Sequence, residues 1–165
     1  MRFILLLILL VTFPLRAEIS AFQKGTHELG LANLGIGYSS QDKFAVSASV
    51  RYQYYVLNRF AMGAFGFYNN FNDHEWMGAG PVTSYILFKH LRWFMRADQE
   101  VTLAKFNGFS DPPATLFGTT SLSINYLPEY SNFFLGIGYA RTYALNEGRV
   151  LRPNALQIFA GWLWN

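Results

Sequence analysis

Two short polar stretches hold the residues best suited to catalysis. Asp73-His74-Glu75 sets an imidazole between two carboxylates, and Ser110-Asp111 supplies a hydroxyl further along the chain. Brought together, His74 would act as the base for a Ser110 nucleophile while a carboxylate orients the imidazole. A histidine flanked by acids in a polar stretch is more often plain solvated loop, so the spacing alone makes no active site. Asn69, Asn70, Asn72, Asp73 and Glu75 offer hard oxygens of the kind Ca²⁺ and Mg²⁺ prefer, yet they match no calcium-loop spacing. No metal or cofactor is therefore expected. The other reactive groups are single charges and amides set among apolar residues: Glu28, Arg51, Gln53, Arg96, Asp98, Glu100 and Asn125. What they can do depends on the elements that carry them.

Residues 44–56 show what those elements are. Phe44, Val46, Ala48, Val50, Tyr52, Tyr54 and Val56 share one face of a strand, and Ala45, Ser47, Ser49, Arg51, Gln53 and Tyr55 share the other. This strand exceeds the usual length in a globular sheet. It reaches the roughly 9–11 residues a tilted strand needs to cross a bilayer core. One apolar face and one polar face suit a barrel wall with lipid outside and a polar lumen inside. Segments of the same kind are expected over 26–38, 60–69, 76–88, 93–105, 115–127, 132–143 and 155–164, giving eight in all. Short breaks at 57–59, 89–92 and 128–131 alternate with longer ones at 70–75, 106–114 and 145–154, while 39–42 is short but falls on the longer side. Short turns at one end and longer loops at the other is the asymmetry of an outer-membrane barrel.

The faces read clearly in some segments. Arg96, Asp98, Glu100 and Thr102 oppose Met95, Ala97, Val101 and Leu103, with Gln99 out of place on the apolar side. Ser121, Ser123 and Asn125 oppose Leu122, Ile124 and Tyr126. The first segment fits only with a slip near Ala32-Asn33, and Gly63, Gly66, Gly78 and Gly80 leave strands three and four without a clear face. Those glycines allow the tight bending of a small barrel, whereas Pro81, lacking a backbone donor, suits a bulge or rim better than mid-wall.

The ends and the composition point the same way. Met1-Arg2, the apolar run Phe3–Phe13 and Pro14-Leu15-Arg16-Ala17 have the layout of a secretory signal peptide over 1–17, with Ala21 as a second cleavage candidate. The +3 charge includes Arg2 and Arg16, so the remainder, a single domain over 18–165, is near neutral and gives no basis for nucleic-acid binding. Charged residues are only 14% and aromatics 18%, against about a quarter charged in an ordinary soluble domain. No cysteine is present, which excludes a lipoprotein anchor and disulfides. An exported, lipocalin-like soluble barrel would point its apolar residues inward and carry more Lys and Glu outside.

The chain ends Phe159-Ala160-Gly161-Trp162-Leu163-Trp164-Asn165, with Trp162 and Trp164 alternating and Asn165 in place of a terminal aromatic. With the strand pattern over 26–165, this resembles the small outer-membrane barrels of Gram-negative bacteria, the group that includes OmpA, OmpX and OmpW. The resemblance implies an all-β, eight-stranded antiparallel transmembrane up-and-down barrel in the bacterial outer membrane. Its partners would be outer-membrane lipids, lipopolysaccharide and the barrel assembly machinery. It implies a structural or interaction role, in membrane integrity or the presentation of surface loops. The alternatives are a lipid A-modifying enzyme, a narrow pore, or a conduit for small apolar molecules. Some barrels of this kind acylate or deacylate lipid A through a His and a Ser, but the deacylase's His-x-Ser-Asn motif is absent here. Eight strands enclose an interior that side chains just fill. Glu28, Arg51, Gln53, Arg96, Asp98, Glu100 and Asn125 would then pair there as a plug, because an isolated buried charge is costly. Tyr52, Tyr54, Trp93, Tyr126, Trp162 and Trp164 lie toward the short-turn ends, as an interfacial girdle would.

Overall fold

The computed structural model describes residues 20–38, 44–71, 74–107, 115–145 and 150–165. The expected signal peptide over 1–17 lies outside them, as do Asn72, Asp73, Ser110 and Asp111. Eight strands follow in chain order: β1 (His27–Tyr38), β2 (Phe44–Leu57), β3 (Phe60–Phe71), β4 (His74–His90), β5 (Trp93–Asn107), β6 (Thr115–Tyr126), β7 (Phe133–Ala144) and β8 (Val150–Trp164). Each pairs antiparallel with the next, and β8 returns to β1, so the sheet closes into a barrel. Closure leaves no edge strand to template aggregation.

Alternation sets which residues face in. On β6, Ser121, Ser123 and Asn125 are buried while Leu122 and Ile124 are exposed. Leu29, Leu31, Val50, Leu135, Ile137 and Ile158 also face outward and stand exposed. That polarity overturns the soluble-barrel alternative, whose apolar side chains would fill the interior. The slip near Ala32-Asn33 is a register shift between Ala32 and Gly35 against β2.

Three details differ from the sequence reading. The expected loop 70–75 is mostly strand, because Asn70 pairs with Glu75 and Phe71 with His74. Tyr68 supports this hairpin by donating its hydroxyl to Glu75 Oε1 at 2.8 Å, so residues read as loop formers act as cross-strand partners. The break at 145–154 is likewise shortened: β8 begins at Val150, opposite Tyr143, after register shifts near Thr142. Pro81 stands within the wall, opposite Ala64 of β3. On its other side the β4–β5 ladder passes from Ala79↔Leu103 to Val82↔Glu100, so the missing donor coincides with a gap in the ladder. The strands press together at that gap, where a Cβ on Gly80 would fall 1.8 Å from the Val101 carbonyl oxygen.

The barrel is stoppered at its short-turn end by a segment with no strand pattern. Ser20–Phe22 forms one 3-10 turn and carries Phe22 into the interior, where it is fully buried. Its ring lies 4.6 Å from that of Phe94 and 5.6 Å from that of Tyr55, within a cluster that includes Ile86, Phe134 and Leu163. The chain then turns at Gly25, whose φ of 101° suits a residue without Cβ. Gly25 N donates to Tyr55 O at 2.9 Å and Arg59 N donates to Phe22 O at 2.8 Å. The second bond helps hold Arg59 at a φ of 69°, a left-handed conformation that a non-glycine residue adopts only at a cost. Replacing Phe22 with Ala should lower barrel stability by about 3–5 kcal/mol, as other buried Phe truncations do. Urea unfolding in detergent micelles checks this, and an unchanged midpoint would show that the stopper adds nothing.

Candidate functional site

The interior is built in three layers. The short-turn end is the apolar cluster around Phe22. The opposite end holds aromatic rings: Phe67 and Trp76 at 5.3 Å and Trp76 and Phe117 at 5.6 Å, packed with Ala104 and Ala144. Here the Asn69 amide oxygen accepts from Trp76 Nε1. Between them lies an ionic layer.

Two arginines and two carboxylates make that layer, on three strands. Arg96 Nη1 meets Glu28 Oε1 at 2.8 Å, and Arg96 Nε meets Asp98 Oδ1 at 3.1 Å. Arg51 Nη1 approaches Asp98 Oδ2 at 3.2 Å. The four side chains are almost wholly buried, and their formal charges cancel. Neutral donors complete the carboxylates: Tyr55 donates to Glu28 Oε2 at 3.0 Å, Ser121 to Asp98 Oδ2 at 3.3 Å, and Ser84 to Asp98 Oδ1. The guanidinium faces rest on rings, with Arg51 Cζ 5.2 Å from the Phe159 centroid and Arg96 Cζ 5.3 Å from that of Phe134. Cation–π attraction is strongest when the cation is desolvated, as it is here.

Space for these groups comes from missing side chains opposite them. A Cβ on Gly30 would fall 2.8 Å from Arg51 Cγ, and one on Gly136 would fall 2.0 Å from Asn125 Oδ1. Arg51 and Asn125 thus each lie over a bare patch of the neighbouring strand.

The seven interior candidates divide. Glu28, Arg51, Arg96 and Asp98 form the layer, and Gln53 joins it through Ser84, to which its Nε2 donates at 2.7 Å. Asn125 is buried but lies apart, its Nδ2 donating to Ser123 Oγ at 2.9 Å. Glu100 shares the inward face of β5, yet its carboxylate makes no hydrogen bond or ion pair among the described residues. Sequence reasoning missed Ser84, because its inward neighbours Val82 and Ile86 are apolar and disguise the face of β4. It also missed the rings of Phe134 and Phe159 beneath the guanidiniums.

The loop candidates come together less well. His74 is the first residue of β4 rather than part of a loop, and Ser110 lies outside the described residues. Of the described members of the oxygen set, Asn69 is buried against Trp76 while Glu75 bonds Tyr68, so these two point to different partners. Among the described residues no three His, Asp or Glu side chains cluster as metal ligands do.

The aromatics group around the short-turn end. Trp93 packs on Tyr126 at 5.0 Å, His27 stacks on Trp164 at 5.6 Å, and Phe133 meets Trp162 at 5.9 Å. Tyr52 shares a 2.6 Å hydrogen bond with His27 Nδ1, and Tyr54 lies 5.0 Å from the same imidazole ring. Arg92 and Glu129 pair across the tips of two turns. Hydrogen bonding with Tyr126, and then with Glu129, raises the Arg92 guanidinium above its ordinary range.

Breaking the ionic layer on one side should be costly, since it leaves a buried charge without its partner. Arg51→Ala is expected to destabilise the barrel by about 3–5 kcal/mol. The urea midpoint of the purified protein reads this directly, and no shift would sink the idea of a charge-paired plug.

Neither a protein-family profile nor any curated protein matches this sequence. Solved structures do match its shape. The N-terminal β-barrel domain of Pseudomonas aeruginosa OprF aligns over 86% of this chain and 98% of its own, at 10% identity and a TM-score of 0.64. Neisserial surface protein A aligns over 86% and 96%, at 14% identity and a TM-score of 0.55. A de novo designed transmembrane β-barrel covers 86% and 98%, at 13% identity and a TM-score of 0.52. At these identities the likeness is one of architecture: the chain has the fold of the small eight-stranded barrels of bacterial outer membranes.

Proposed function

We propose that the chain over 18–165 is an outer-membrane barrel that crosses the bilayer with its lumen closed, and that it acts as a structural element presenting loops at the cell surface. One observation carries this reading: the wall is largely apolar outside, while inside two arginines are ion-paired with two carboxylates between apolar and aromatic layers. An apolar exterior of this extent suits lipid. The short-turn end faces the periplasm, where Trp93, Trp162, Trp164, Tyr52, Tyr54 and Tyr126 sit at the headgroup level. Outer-membrane lipids and lipopolysaccharide surround the wall, and the barrel assembly machinery inserts it.

A closed lumen separates this role from that of a pore. Expressing cells are fractionated, and the membranes are run on SDS gels with and without boiling. The barrel is expected in the outer membrane as a band that migrates faster unboiled, and planar bilayers holding it are expected to show no steady conductance. Steady conductance would replace the plug with a pore. A soluble periplasmic protein without a heat shift would overturn the membrane reading altogether.

A further inference from the structure

Polar Asn70, Glu75 and Lys105 lie on the outward face near the loop end. Between the two ends, the described outward wall is apolar except along one row. Gln99, out of pattern on the apolar side of β5, pairs in register with Thr83 of β4 and Thr120 of β6, and Thr120 pairs with Arg141 of β7. Alternation puts all four on the outside, so a polar row crosses four adjacent strands. Its members are linked. Thr120 Oγ1 donates to Gln99 Oε1 at 2.6 Å, and Gln99 Nε2 donates to the Tyr143 hydroxyl at 3.2 Å. Tyr143 reaches this position by lying across Gly118, where a Cβ would fall 2.7 Å from its ring. Arg141 is exposed at the end of the row and has no acidic partner among the described residues.

We infer that this row is a binding site for the phosphate-bearing head of a glycolipid in the outer leaflet. The inference rests on the outer-membrane reading above. Arg141 is eight residues beyond Phe133 on β7, and Gln99 is six beyond Trp93 on β5. At the rise of a tilted strand that is roughly 15–20 Å from the periplasmic aromatics. An outward apolar band about 25 Å tall therefore places the row in the outer half of the bilayer, where a long arginine can extend to the headgroups. A guanidinium is costly at mid-membrane and tolerated near an interface, above all where a phosphate accepts its forked donors. The row suits such a ligand. It offers the Arg141 fork and the hydroxyls of Thr83 and Tyr143, with Gln99 held between Thr120 and Tyr143, and contains no carboxylate. Below it Leu122, Ile124, Ile137 and Tyr139 stand exposed, an apolar bed for acyl chains. A second copy of the chain fits poorly, because a two-fold contact repeats the same patch and brings one Arg141 toward its equivalent with no acid between them.

Native mass spectrometry of the detergent-purified barrel tests the site, with bisphosphorylated lipid A and its dephosphorylated form as probes. The wild type should retain bisphosphorylated lipid A at least tenfold better than the dephosphorylated form. Arg141→Gln should abolish that preference while keeping the heat-shifted band on gels. If that variant does not fold, Thr120→Val and Gln99→Leu should each weaken the preference. Equal retention of the two lipids would overturn the site, as would displacement of lipid A by an equal concentration of inorganic phosphate. A dimer cross-linked through residues 120 and 141 would assign the row to a second copy instead. All three outcomes leave the outer-membrane placement intact, whereas loss of the heat shift in the wild type would remove the placement itself.

Discussion

Closing eight strands leaves an interior too narrow for bulk water, and charges caught there must settle with one another. The structure follows from that constraint. Arg51 and Arg96 are balanced by Glu28 and Asp98, and every neighbour of the four is adjusted to them. Gly30 leaves room for Arg51, Tyr55, Ser84 and Ser121 donate to the carboxylates, and phenyl rings lie beneath the guanidiniums. Burying such pairs adds little net stability over a well-packed apolar core. Their more evident effect is on register. A slip of one residue on β5 would turn Arg96 and Asp98 out of the barrel and leave Glu28 and Arg51 inside without the partners they have now.

Much of this was legible in the chain because a two-residue period needs no tertiary information. β2, β5 and β6 show both faces in their sequence, and Gln99 stood out only because its neighbours kept the pattern. The slip at Ala32-Asn33 could be read for the same reason. What stayed hidden depended on partners far away in sequence. Ser84 sits among inward apolar residues, so polarity could not place it. Asn70 and Glu75 carry loop-forming side chains and are held in a ladder by cross-strand pairing and the Tyr68 hydroxyl. Pro81 is tolerated in the wall because the ladder already lapses beside it. Phe22 belongs to no periodic segment of the sequence, so nothing local marks it as the stopper.

The inside and the outside of the barrel solve opposite problems. Inside, the paired charges occupy the middle, between mainly apolar layers at either end. Outside, the described wall is apolar between its two ends, and mid-wall polarity is confined to one row on β4–β7. Arg51 and Arg141 show the contrast: the first has a carboxylate and a ring waiting for it, while the second is left for a partner supplied by the surroundings.

The pairing of β1 with β8 joins residues separated by most of the chain, and Thr26 Oγ1 donates to Asn165 Oδ1 at 2.9 Å across that seam. Glu28 arrives with the first strand and Arg96 with the fifth, so an unclosed sheet holds these two partners apart. Such a sheet also exposes two unsatisfied edges. Partly assembled forms are therefore disfavoured on two separate counts, and the last seam and the ion pairs form together. Sealing of this kind is slow, because distant segments must meet before any contact rewards them. It is also close to all-or-none. A barrel of this design either finishes or remains recognisably unfinished, which gives cellular quality control a clear state to act on.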